Sequence, residues 1–149
     1  MNNNFMRKVK NFLAFLLIAS ILTFGSYLIV YKVSFLPNGY DIEKVQKDNV
    51  SLKSFNLLGI EKNVKTLSFS GDDTWYIDEI DFEVKKQKTF LWLLFSSITI
   101  STFLLIYKLR NGLTLWKAIF ESNFFAALIP LTTVIFSLHR IQMILDLSS

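Results

Sequence analysis

One histidine, its neighbouring arginine and a run of carboxylates are the residues whose types could do chemistry. His139 is the single histidine of the chain and Arg140 follows it. An imidazole titrates near neutrality and can act as a general base, and a guanidinium can steady a developing oxyanion. With one of Ser68, Ser70 or Asp81 assisting, the pair has the groups for general-base transfer chemistry. The plainer reading is an interfacial His-Arg pair that ends an apolar stretch. Asp72, Asp73, Asp78, Glu79, Asp81 and Glu83 offer oxygen ligands to a hard cation, but their spacing departs from the calcium-loop pattern. They read as a solvated acidic face, with no metal expected. Zero cysteines remove thiolate chemistry, disulfides and Cys-ligated zinc. The chain has no glycine-rich phosphate loop, dinucleotide fingerprint or Gly-x-Ser-x-Gly, so no cofactor is expected.

The elements that must carry these residues are apolar. Hydrophobic residues make up 52% of the 149 positions, beside 19% charged, so the charges must be segregated. Residues 11–31 and 89–107 contain no Asp, Glu, Lys or Arg, and neither does 122–139. At 1.5 Å per residue, runs of about 20 residues match a hydrocarbon core of about 30 Å. The expected fold is an all-α membrane protein with three transmembrane helices, at 11–31, 89–107 and 119–138. The first continues through Tyr27 and Tyr31, too long for a signal-peptide core, and is expected to stay as an uncleaved anchor. Pro130 is expected to kink the third, with Thr132 and Thr133 helping to satisfy freed carbonyls.

Arg7, Lys8 and Lys10 precede the first span without an acid among residues 1–10, which places the N-terminus in the cytoplasm of a multi-pass cell-membrane protein. Lys85, Lys86 and Lys88 on the expected outer side oppose that rule, and the first helix decides. Residues 108–118 then form an inner loop, and 139–149 an outer tail whose stretch 141–147 lies in the interface. The net charge of +4 flanks apolar runs instead of forming a patch. Contact with the lipid bilayer is expected and nucleic acid is not.

Residues 32–88 are the only part long enough to fold outside the membrane, and form a small extracytoplasmic α/β segment. Nine Lys oppose ten Asp and Glu there. Residues 41–47 suit a short helix capped by Asp41. Residues 63–69 and 74–80 suit either a hairpin about Gly71 or, for the second stretch, a helix running into the next span through Ile77, Ile80 and Val84. Trp75, Tyr76 and Phe82 are candidate partner-binding residues. In the second span, Ser96, Ser97, Thr99, Ser101 and Thr102 gather, and Ser97-x-x-x-Ser101 is a small-residue pair for close helix packing. Those hydroxyls can also bond back to their own helix.

The stretch Ile135-Phe-Ser-Leu-His139-Arg-Ile141, with Glu83-Val84-Lys85 leading into the second span, resembles motifs of the Gram-positive lipoprotein intramolecular transacylase (Lit) family, small polytopic membrane proteins. Leu138 stands where that family has an aromatic, and Ile80 and Asp81 stand where it has a loop histidine. The resemblance implies acyl transfer between positions of a lipoprotein's lipid anchor, with His139 as base. The residues alone point first to a non-enzymatic accessory or immunity-type protein, acting on a membrane or extracytoplasmic protein partner through the segment 32–88.

Overall fold

The computed structural model describes residues 3–147, as three long helices and a three-stranded sheet. Helix α1 spans Asn3–Tyr31. Strands β1 (Tyr40–Val45), β2 (Asn49–Phe55) and β3 (Glu61–Ser68) follow, then α2 (Trp75–Arg110), a short α3 (Leu115–Glu121) and α4 (Leu128–Leu147). Three helical stretches, Asn3–Tyr31, Gly71–Arg110 and Phe124–Leu147, are long and apolar enough to cross a membrane.

Helix α1 lies antiparallel to the second half of α2. Tyr31 Oη meets Thr89 Oγ1 at 3.3 Å, and Trp92 Nε1 donates to the Thr23 carbonyl at 3.0 Å. At the other end Asn11, Phe15 and Ile18 line one cavity with Phe103, Leu104 and Tyr107. The two charge-free runs of the sequence therefore begin and end at the same levels. Phe12, Leu17, Ile21 and Phe24 remain exposed on α1.

The first half of α2 extends beyond that apolar pair and carries the sheet. β1, β2 and β3 form an antiparallel meander in which Val50 faces Leu67, and Ile42 faces Leu52. Alternation puts Tyr40, Ile42, Val50, Leu52 and Leu67 on one face. That face packs on Ile77, Ile80 and Val84 of α2 and on Ile141, Ile144 and Leu145 of α4. A second core, of Val30, Leu36, Leu91, Leu94, Ala127 and Val134, joins it to the helix bundle.

Several expectations are corrected. Residues 41–47 are not a helix: Tyr40–Val45 is a strand, because the Tyr40/Ile42 alternation meets Leu52 and Ser54 across a ladder. Of the two readings of 74–80, the helix is the one adopted, since β3 ends at Ser68 and pairs with β2 instead. The third apolar segment is stepped. Helix α3 is followed by Ser122, whose hydroxyl donates to the Ala118 carbonyl, and Asn123 turns the chain with φ 58°. Pro130 is then the third residue of α4, which follows directly on the short helical turn Phe124–Ala127. The Thr132 and Thr133 hydroxyls both return to the Ile129 carbonyl, not to Ala126, four residues before the proline. Finally, 141–147 is not a separate tail but the end of α4, because its apolar residues complete the sheet's core.

Candidate functional site

The polar residues of the sheet-bearing unit converge on one seam, where β1 and α4 meet the first half of α2. Glu79, Glu83 and Gln87 recur every fourth residue and so share one helical face. Gln87 is fully buried: its Oε1 accepts from the Tyr40 N–H at 3.0 Å and its Nε2 donates to the Tyr40 carbonyl at 3.4 Å. A Cβ on Gly39 would collide with Gln87 Nε2 and would have to displace the amide. Asp41 and Lys88, both largely covered, pair at 2.6 Å.

Glu83 is buried against α4. Ser137 Oγ lies 2.7 Å from Glu83 Oε2 and 2.8 Å from the Glu83 carbonyl, and Lys86 Nζ approaches Glu83 Oε1 at 3.2 Å. One turn earlier, Arg140 directs both Nε and Nη2 at Glu79 Oε1, each at 2.6 Å. Glu79 Oε2 is buried without a hydrogen-bond partner among the described residues.

His139 leaves the seam for the opposite side of α4. It is exposed and lines a shallow groove with Gln142, Met143, Asp146 and Leu147. Burial, and secondarily the Asp146 carboxylate, holds the Tyr40 phenol above its ordinary pKa of 10.0. Ser68 and Ser70 belong to a second cavity, with Phe69, Asp73, Tyr76 and Ile144, that shares only Leu147 with the histidine groove. Asp81 is engaged with Lys85 at 2.5 Å. The structure thus brings Arg140 to Glu79, and among the described residues no hydrogen bond joins His139 to Arg140, Ser68, Ser70 or Asp81.

The aromatic candidates divide. Trp75 is 49% exposed and Phe82 61%, and as residues seven apart they lie on one side of α2. Lys86 sits 5.7 Å from the Phe82 ring centroid. Tyr76 is half-buried, stacked between Trp75 at 3.9 Å and Phe69 at 5.7 Å, and belongs to the core. In the helix pair, Ser101 is buried and Ser97 half-buried, while the Ser96, Thr99 and Thr102 hydroxyls return to carbonyls of their own helix.

Gln87 and Ser137 were not singled out by sequence reasoning, and Glu79 and Glu83 were read as part of a solvated acidic face, whereas the structure turns both toward α4. The four-residue recurrence of Glu79, Glu83 and Gln87 beside Ile80 and Val84 was the available signal. Comparison with protein-family models, with curated proteins and with solved structures finds no match.

Proposed function

We propose that this chain is a small multi-pass protein of the cell membrane, N-terminus cytoplasmic, whose sheet-bearing unit stands outside and binds another membrane or extracytoplasmic protein in an accessory or immunity-type role. One observation carries the reading. Gln87, Glu83 and Ser137 are engaged within the unit's own seam, while Trp75 and Phe82 stay uncovered on one side of α2. Large exposed aromatics beside a cation are the residue types that dominate protein interfaces. Arg140, the candidate oxyanion donor, directs its Nε and Nη2 at Glu79. The test is a photo-crosslinking amino acid at Phe82 in cells. One discrete adduct heavier than the 17.3 kDa chain is expected, weakened when Trp75 is replaced by Ala. A chain that captures only lipid, in cells unaffected by loss of both aromatics, contradicts the proposal.

A second reading, acyl transfer on lipoproteins with His139 as base, draws on one contact: Glu83 and Ser137 bring together the two stretches that resemble the transacylase family. Its signature is an altered acyl pattern at lipoprotein N-termini that His139→Ala abolishes.

A further inference from the structure

We infer that the turn between β2 and β3, Asn56-Leu57-Leu58-Gly59-Ile60, is a lipid contact of its own, dipping into the acyl-chain region of the leaflet beside the sheet. The inference rests on the membrane reading proposed above.

Its composition is the first reason. Turn tips are usually built from Gly, Pro, Asn, Asp and Ser, yet this one exposes Leu57, Leu58 and Ile60 at 69%, 69% and 59%, with no charge among its five residues.

Depth is the second. After α1 the chain folds back on itself: Ser34 adopts φ 54°, and the Phe35 N–H donates to the Ile29 carbonyl at 3.1 Å. The Phe35 ring then lies 5.9 Å from Phe95 and shares a cavity with Ser26, Ile29, Ile98 and Thr99. Gly59, at φ +71°, rests on that ring, and a Cβ there would come within 2.5 Å of Phe35 Cδ2. Phe95 is six residues beyond Thr89, about 9 Å into the charge-free run at 1.5 Å per residue. The strands agree with this placement, since Tyr40 sits at Gln87 while Val45 sits beside Trp75 and Ile77, so the Phe55 end of β2 points toward the bundle.

The backbone supplies the third reason. Apolar surroundings penalise each backbone group left without a partner, and the turn satisfies four of its five N–H groups internally. The Leu58 and Ile60 N–H groups donate to Asn56 Oδ1 at 2.9 and 3.0 Å, the Gly59 N–H to the Asn56 carbonyl at 2.9 Å, and the Asn56 N–H to the Ile60 carbonyl at 2.9 Å. Charge resumes at Glu61, which pairs with Lys53, itself paired with Glu43, as suits the headgroup level.

Because the chain has no cysteine, single nitroxide labels report depth without background. The full chain in phosphatidylcholine–phosphatidylglycerol vesicles is labelled at Leu58→Cys, at Leu17→Cys on the exposed face of α1, and at Thr66→Cys on the outer face of the sheet. Collisions are compared with oxygen, which concentrates in acyl chains, and with a water-soluble nickel chelate. Leu58 should match Leu17, with an oxygen-to-nickel ratio several-fold above that of Thr66. Leu17 lipid-like with Leu58 water-like overturns the inference and leaves the spans standing. Leu58 shielded from both reagents puts a protein contact there and overturns it as well. Leu17 water-like removes the membrane reading and the inference with it.

Discussion

Replacing Gln87 by Leu should cost about 2–4 kcal/mol and free β1 from α2, because the buried Tyr40 N–H and carbonyl both lose their partner and each unsatisfied group costs about 1–3 kcal/mol. Leucine fills nearly the same volume, so the loss comes from the missing hydrogen bonds with only a small packing change. The measurement is limited proteolysis in detergent micelles. Cleavage between Pro37 and Ile42 should speed up well before cleavage elsewhere. Gly39→Ala should do the same through the other partner, since its methyl group displaces the Gln87 amide. Unchanged protection in the Gln87 variant would mean that β1 is held by its ladder with β2 alone.

Ile141→Ala should lower the thermal midpoint in micelles by roughly 5–15 °C, from a loss of about 2–5 kcal/mol for a buried aliphatic truncated to Ala. Ile141 is fully buried where α4 meets the sheet and α2, in one cluster with Val50, Leu52, Leu67 and Ile80. The control is Ile135→Ala, on the same helix but 55% exposed, which should leave the midpoint nearly unmoved. Equal effects at the two positions would show that the end of α4 does not dock on the sheet.

These two residues also mark where the sequence was legible and where it was not. The runs 11–31 and 89–107 could be read because they are charge-free from end to end, and the structure sets them side by side at matching levels. The third run misled because His139 and Arg140 were taken to end it. Ser137 and Arg140 instead face Glu83 and Glu79 on α2, so the helix passes through them and ends at Leu147. A charge count along the chain cannot separate a side chain that meets solvent from one that meets an opposite charge. The sheet was hidden for a different reason. Strands of six to eight residues owe their register to partners elsewhere, and Tyr40–Val45 satisfies a helical and an alternating pattern equally until β2 is beside it. Gln87 was passed over as one polar residue among lysines, yet its burial makes it the link between sheet and helix.

The proposed topology sets the sheet-bearing unit across a membrane from the basic N-terminal flank, and single cysteines test this directly. Asp73, exposed beyond the N-terminal end of α2, and Lys8, ahead of the charge-free run of α1, are each replaced by Cys in the otherwise cysteine-free chain. A membrane-impermeant maleimide applied to intact cells should label the Asp73 position and reach the Lys8 position only after permeabilisation. Labelling of the Lys8 position in intact cells, with the Asp73 position protected until permeabilisation, would contradict the account.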